Sequence, residues 1–186
     1  MALYETIETA KTGRDLRIIT TDLQGISTGA LAATKVVSSY GFVVGGVVDT
    51  TNGGINLDAV TRENNGTSEI VEVICREIIT TSGTLQKAAL RIYFFDSYAL
   101  ALASGDAFAF GVGGTAKNAV QVVDIAEADW KNDDSLNAVA SVSCTNKNLR
   151  TAAGTTAMKA IVVMESTSKT YSANHALQLE IRIKRD

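Results

Sequence analysis

The only histidine of the chain, His175, is the first candidate for acid–base chemistry, because an imidazole titrates near neutral pH. It follows Asn174 and directly precedes the last apolar alternation of the sequence. A catalytic histidine acts on a serine or cysteine nucleophile and is oriented by an acidic residue. Serines and threonines are so numerous in this chain that proximity to one of them would prove little. We interpret His175 as a loop histidine without a catalytic role.

A run of acidic residues could bind a hard cation, since Ca²⁺ is held by several carboxylate and carbonyl oxygens. Its members are Asp124, Glu127, Asp129, Asp133 and Asp134. Their spacing does not fit the calcium-binding loop, which places acidic or amide groups at alternate positions and a glycine at its sixth. We interpret the segment as a solvated loop and expect no metal site.

Exposed aromatic side chains would suit a module that binds carbohydrate at a host surface, an alternative function that we keep open. The candidates are Tyr4, Tyr40, Tyr98, Trp130 and Tyr171. Trp130, however, stands within the acidic run, where a single tryptophan is more typical of a plug that anchors the loop on the core. Its indole N–H would then need a hydrogen-bond acceptor.

Two short motifs match known sites only in part. The glycine-rich stretch at residues 110–117, FGVGGTAK, resembles a phosphate-binding loop, but that loop requires glycine before its lysine and serine or threonine after it. Ala116 and Asn118 occupy those positions, so the stretch predicts a β-turn. Asn65-Gly66-Thr67 matches a glycosylation acceptor. Without a secretory signal at the N-terminus, we expect this match to be idle.

The two cysteines, Cys75 and Cys144, are too few for a disulfide framework and do not form a C-x-x-C pair. Free cysteine often behaves as a small core residue. We therefore expect two buried thiols, and the sequence does not indicate whether they lie close together.

Composition narrows the class of protein. The 186 residues carry a net charge of −3, and the pI is about 5.2, which does not favour nucleic acid as a partner. The apolar runs are far shorter than the roughly 20 residues of a membrane-spanning helix. We expect a protein made in a cytosol, with no membrane, nucleic-acid or small-molecule partner and no cofactor.

The apolar pattern predicts short strands. Two blocks, at residues 90–95 and 107–110, are taken as the core strand pair, and residues 160–164 as a central strand. Residues 68–81 alternate and are rich in Ile, Val and Thr, so strand is favoured over helix. The turn at Ser82-Gly83-Thr84 indicates a hairpin with the following strand. Residues 97–103 are the one piece that suits a short helix.

The C-terminal residues 177–183 alternate strictly between apolar and polar, which gives one buried and one solvated face. Arg182, Lys184 and Arg185 are interpreted as the solvated face of an edge strand. The whole pattern predicts an all-β fold, an antiparallel β-sandwich or barrel of jelly-roll-like build with at most one short helix. We expect an extended N-terminal arm with one strand at residues 1–35 and a single domain at residues 36–186.

The order of these features resembles small structural proteins of tailed bacteriophages. The strand LRIYFFD at residues 90–96 is followed by GDAFAF at 105–110, by VVDIAEADW at 122–130, and by the strands at 160–164 and 177–183. The resemblance spans about residues 43–186. It implies a virion component, most specifically a decoration or cement protein on the capsid surface, and it carries no catalytic residues.

The function expected from this resemblance is structural and not enzymatic. The chain would bind the major capsid protein, and copies of itself as a homo-oligomer, through many modest contacts repeated on a symmetric lattice. The N-terminal arm would order on a neighbouring subunit or on the shell. A tail or neck protein, which would form rings, is an alternative of the same class.

Overall fold

The computed structural model describes residues 7–9, 15–22, 29–31, 55–96, 119–166, 169–171 and 174–186, and these residues are almost entirely β. Twelve strands run in chain order: β1 Ile7–Thr9, β2 Asp15–Asp22, β3 Gly29–Leu31, β4 Ile55–Leu57, β5 Thr67–Ile79, β6 Leu90–Phe95, β7 Gln121–Ile125, β8 Trp130–Asn132, β9 Asn137–Arg150, β10 Met158–Met164, β11 Lys169–Tyr171 and β12 His175–Arg185. A single 3₁₀ turn, Glu127–Asp129, is the helical element of this described part. The all-β prediction is confirmed.

Two antiparallel sheets form the body. The larger has the strand order β1-β2-β12-β5-β9-β8, and the smaller has the order β4-β10-β6-β7. One hydrophobic cluster draws side chains from both sheets, so the sheets pack face to face as a sandwich. A separate two-stranded sheet pairs β11 with β3.

The two interior strands of the smaller sheet are buried on both faces. Ile92 and Phe94 of β6 belong to the sandwich core, whereas Tyr93 and Phe95 join Ile161 and Val163 in a second cluster on the opposite face. A strand covered on both sides has no polar alternation. This explains why residues 160–164 are apolar throughout and why Arg91 is the one charged residue at 90–95, and the predicted central position of β10 is confirmed.

The prediction for the two apolar blocks is only half tested. β6 is a buried strand, but its neighbours are β10 on one side and β7 on the other. Residues 107–110 lie outside the described residues, so the second block remains a prediction. The segment 97–103, where a short helix was expected, lies outside them as well.

The strand prediction for residues 68–81 is confirmed by β5, but the hairpin with β6 is wrong. β5 belongs to the larger sheet and β6 to the smaller one, so residues 80–89 cross from one sheet to the other. We call this segment the crossing connection. Alternation along a strand shows which side chains face inward, and it does not show which sheet the partner strand belongs to.

The predicted edge position of the C-terminal strand β12 is also wrong. The predicted alternation holds, since Leu179, Ile181 and Ile183 face the core, but β12 is not an edge strand. It pairs with β2 through eight register positions and with β5 on its other side. The C-terminal strand is therefore interior, and Arg185 is buried instead of solvated.

Part of the predicted N-terminal arm also lies in this sheet. β2 occupies the position beside β12, with Ile19 in the sandwich core, and β1 pairs on its outer side. The strand expected within residues 1–35 is thus present and integrated. The boundary near residue 35 remains a prediction, because residues 32–54 lie outside the described residues.

Candidate functional site

The acidic side chains that were predicted to form a solvated loop contact separate partners. Asp124 pairs with Arg91, and Glu127 accepts a hydrogen bond from Ser166 Oγ at 2.5 Å and lies 2.9 Å from Lys169 Nζ. These hydrogen bonds lower the pKa of Glu127, that from Ser166 most of all. These two carboxylates thus have separate partners.

The far end of the run closes a turn. Asp134 accepts hydrogen bonds from the backbone N–H groups of Leu136 and Asn137, both at 2.7 Å, and from the Asn137 side chain at 2.8 Å. The Asn137 amide makes the largest contribution to the lowered pKa of Asp134. Among the described residues, no group of three or more His, Cys, Asp or Glu side chains is placed to hold a metal ion.

Trp130 behaves as the predicted plug. Its side chain is buried in the sandwich core, and its indole N–H donates to the Ala88 carbonyl at 2.8 Å. A tryptophan used in this way cannot serve as a platform for a sugar ring. Of the other aromatic candidates, Tyr4, Tyr40 and Tyr98 lie outside the described residues, and only the backbone of Tyr171 is described, in β11.

His175 is not in a loop. It is the first residue of β12, its side chain is 4% exposed, and its Nε2 lies 3.1 Å from the Thr84 carbonyl oxygen. Glu77 of β5 is fully buried beside it, with Oε1 3.7 Å from His175 Nε2. The sequence prediction of a loop position is wrong because the strand begins two residues before its apolar alternation becomes visible.

Glu77 is the residue that sequence reasoning missed. Its two carboxylate oxygens accept hydrogen bonds from the backbone N–H groups of Gln86 and Lys87, each at 2.8 Å. A buried carboxylate needs such donors, because an unpaired charge in the core costs several kcal/mol. The signal was present in the sequence, since Glu77 shares the inward parity of Cys75 and Ile79 along β5.

The Glu77 and His175 side chains hold the crossing connection against the larger sheet. Both Glu77 oxygens already accept backbone donors, and His175 Nε2 faces a carbonyl. General acid–base catalysis requires such groups to reach a substrate. Here they reach the backbone of residues 84–87, so the arrangement orders the chain between the two sheets.

A second buried charge cluster joins the two ends of the chain. Asp15 of β2 makes two hydrogen bonds to the Arg185 guanidinium, one of them from Nε at 3.0 Å, and a third comes from Arg62 Nε at 3.1 Å. Arg185 also donates to the Ala59 carbonyl at 3.2 Å. The hydrogen bonds from Arg185 outweigh the effect of burial and, with Arg62, lower the pKa of Asp15.

The outer face of the larger sheet carries a row of ion pairs, which we call the ionic row: Glu72, Arg76, Glu180 and Arg182. Arg182 lies 2.7 Å from both Glu72 and Glu180, and Arg76 lies 2.9 Å from Glu180. Burial raises the pKa of Glu180, but the hydrogen bonds from Arg182 and Arg76 outweigh it and lower that pKa. Two acids and two bases make the row neutral.

The two cysteines are free thiols, as predicted. Cys75 is fully buried, and Cys144 is half-buried at the edge of the same core. Burial raises the pKa of both thiols, so neither is a reactive thiolate at neutral pH. They lie on adjacent strands, but Cys75 stands opposite Ala140, several positions from Cys144.

Two sequence motifs remain to be placed. The glycine-rich stretch at residues 110–117 lies outside the described residues. Sequence reasoning also missed a letter match to the G-x-S-x-G nucleophile turn at Gly25-Ile26-Ser27-Thr28-Gly29. That turn leads from a strand into a helix. Here Gly29 begins strand β3, so the structural context of the motif is not met.

The described residues contain no helix that is both long and apolar enough to cross a membrane. Neither a protein-family model nor a curated protein matches the chain.

Two solved structures align with most of the chain, both of viral particles. One is the structure of Cocksfoot mottle virus, with 11% identity, 90% of this chain and 91% of that chain covered, and a TM-score of 0.28. The other is a semi-empty virus-like particle of the nodavirus of the giant freshwater prawn Macrobrachium rosenbergii, with 8% identity, 95% of each chain covered and a TM-score of 0.29. TM-scores this low carry no argument about fold or function.

Proposed function

We propose that this chain is a virion structural protein, and specifically a decoration or cement protein that binds the major capsid shell and stabilises it through multivalent protein–protein contacts. The sequence resemblance to small structural proteins of tailed bacteriophages supports this function. The proposed mechanism uses buried surface and not bond chemistry, so the relevant part of the molecule is its outer face.

The observation that carries the proposal is the ionic row on the larger sheet. Its four charges neutralise one another within one chain, and Ser141 adds a hydrogen bond to Glu72 at 2.5 Å. A protein partner that covers unpaired charges must bear their desolvation, which can exceed the Coulombic gain. A face whose charges are already paired can approach another protein at lower cost. Long strands β5, β9 and β12 give this face a rigid support.

Charge patterning also separates this function from phosphate binding. A surface that tracks a nucleic-acid backbone presents unpaired lysine and arginine. Arg76 and Arg182 of the ionic row are instead held by carboxylates, and the hydrogen bond from Arg182 to Glu180 is the main cause of the raised pKa of Arg182.

The direct test is co-sedimentation of the purified chain with capsid shells that lack it, with isolated tails as the comparison. Saturable binding to shells supports the proposal, whereas binding to tails alone would favour the neck or tail alternative. Arg182→Glu places a third acid beside Glu72 and Glu180 and should weaken shell binding at least tenfold. Lys159→Glu, on β10 at the outer face of the smaller sheet, is the matched control and should bind as the wild type does.

A truncation separates the role of the N-terminal segment from that of the sheet. Removal of residues 1–35 would also delete β2 and with it a neighbour of β12. Removal of residues 2–14 keeps β2 and is the cleaner variant. If the arm anchors the chain on the shell, this truncated chain folds and fails to sediment with shells.

A further inference from the structure

The three N-terminal strands attach to the body through its C-terminal strands. β1 pairs with β2, β2 pairs with β12, and β3 pairs with β11. In the described sheets, none of the three pairs with any strand from β4 to β10. β1 and β2 are therefore an addition at one edge of the larger sheet, β3 pairs in the separate two-stranded sheet, and β12 pairs with β5 on its other side.

The connection between this unit and the body is long. Residues 32–54 separate β3 from β4. Chain of that length spans at most roughly 80 Å when fully extended. A compact domain of about 150 residues has a radius of gyration near 15 Å. The covalent link is therefore long enough for the N-terminal strands to reach β12 of an adjacent copy as well as their own.

β2 carries buried residues that make specific contacts with the surface on which it docks. Its inward residues Asp15, Arg17 and Ile19 are buried. Asp15 engages both Arg185 of β12 and Arg62 of the loop after β4, each far away in the sequence. Every one of these contacts would be the same if β2 came from a second molecule, which is the condition for exchange of an element between copies.

We propose that the N-terminal strands are exchanged between copies of this chain. In the assembled protein, β1 and β2 of one copy complete the larger sheet of its neighbour and β3 pairs with the neighbour's β11, while Asp15 contacts the neighbour's Arg185 and Arg62. The inference rests on the proposed function in naming a second copy as the partner. Exchange would also slow the dissociation of neighbouring copies, because a strand paired within a neighbour's sheet dissociates only when that sheet opens.

A disulfide across the β2 to β12 pairing tests the exchange in the full-length chain. Leu16 and Lys184 are register partners on the outer face, and directly opposite residues in an antiparallel pair are close enough to be bridged. The variants Leu16→Cys and Lys184→Cys are unfolded together, refolded, oxidised and separated on a non-reducing gel. Exchange predicts a covalent heterodimer in the mixture and none in either variant alone.

A variant with both Leu16→Cys and Lys184→Cys in one chain provides a second test of exchange. Exchange predicts covalent dimers or longer chains from this double variant. Closed monomers with no heterodimer in the mixture would overturn the inference. The native thiols do not confuse the result, since wild-type protein treated in the same way shows any background from Cys144.

Charge reversal tests the exchange without cysteine chemistry. Asp15→Arg and Arg185→Asp each place like charges together and should lower the melting temperature. In a refolded mixture, exchanged strands place the arginine introduced in one variant on the aspartate introduced in the other and restore the native pair at the second site. The mixture should then melt several degrees above either variant. A mixture that melts as the two components do separately would contradict exchange.

A chain with both reversals, Asp15→Arg and Arg185→Asp, shows that the site accepts the reversed pair. The shell-binding assay then separates the two proposals. Wild-type protein that sediments with shells but shows no exchange retains the proposed function and loses this inference. Exchanged dimers that ignore shells retain this inference and remove the decoration role.

Discussion

At the scale of single residues, three buried ionisable side chains have structural partners. Glu77, Asp15 and Arg185 are buried: Glu77 accepts backbone hydrogen bonds from the connection that follows its strand, and Asp15 pairs with Arg185 from the other end of the sequence. These contacts specify which segments meet. A sandwich core made only of Ile, Val, Leu and Phe would leave more freedom in how the connections run over it.

Glu77→Gln should destabilise the protein by about 2 to 4 kcal/mol. The amide keeps one acceptor oxygen, so one of the backbone donors of Gln86 and Lys87 loses its partner in a buried site. Urea unfolding followed by tryptophan fluorescence measures the change, because Trp130 packs next to Ala88 in the same region. Glu63→Gln, at an exposed position, should leave the unfolding midpoint unchanged. Equal effects of the two substitutions would contradict this role of Glu77.

The lowered pKa of Asp15 predicts that the protein loses stability in acid. The pKa of Asp15 is lowered in the folded state, above all by the hydrogen bonds from Arg185, whereas an aspartate in the unfolded chain titrates near 3.9. The stabilisation is therefore complete above that value and is lost as the pH falls through the folded pKa. The Asp15→Asn variant should show a smaller decrease in unfolding free energy between pH 5 and pH 2 than the wild type. Asp58→Asn, at an exposed position, should follow the wild-type curve.

At the residue level, predictions from sequence succeed where the type of side chain alone indicates whether it is buried. Trp130 as a plug and the two free thiols are of this kind. His175 and Arg185 were misplaced, and Glu77 was missed, because the burial of a polar residue depends on which distant groups face it. Sequence parity marks Glu77 as inward-facing, but it does not reveal the backbone donors of residues 86 and 87.

At the scale of elements, the crossing connection is held tightly to the sheet it leaves. An added Cβ at Gly83 would lie 3.2 Å from His175 Cε1 and 3.3 Å from Ile79 Cγ2. Gly83→Val should therefore cost about 1 to 3 kcal/mol through crowding. Ser82→Val, at the exposed neighbouring position, should cost much less. Thermal unfolding of the two variants measures the difference, and equal melting temperatures would show that the connection is free to move.

The ionic row should contribute a small, salt-sensitive stabilisation. Arg182 and Glu72 are partly exposed, with side-chain exposures of 36% and 23%, so their coupling should be roughly 0.5 to 1 kcal/mol. A double-mutant cycle with Arg182→Gln and Glu72→Gln isolates this pairwise free energy. The coupling should fall in 1 M salt, where the Debye length is about 3 Å. Coupling that is unchanged in salt would indicate that the row is shielded from solvent.

Strand existence was predicted well and strand pairing was not. Period-two alternation identifies β5 and β12 and their inward residues, and the largely apolar runs identify β6 and β10. The partner of each strand is set by long-range packing, so the hairpin of β5 with β6 and the edge position of β12 were wrong. Short connections favour hairpins on average, but residues 80–89 are long enough to change sheets.

At the scale of the whole molecule, the sandwich joins the N-terminal strand β2 to the C-terminal strand β12 in one sheet. The fold class was predictable because many short strands with polar turns have few other solutions. The proposed function comes only from the resemblance to phage structural proteins. A protein that acts by surface contact carries no spaced chemical motif, and its binding residues look like any other outer strand face.

The thermal disruption of capsid shells tests directly whether the chain stabilises a shell to which it binds. Shells that lack the protein are heated with and without saturating amounts of the full-length chain, and genome or dye release reports the temperature at which they open. The account predicts that the bound chain raises this temperature, because ligands that bind only the intact state stabilise it. It also predicts that Arg182→Glu removes most of the increase and that Lys159→Glu removes none. Shells that open at the same temperature with and without the bound chain would contradict the account.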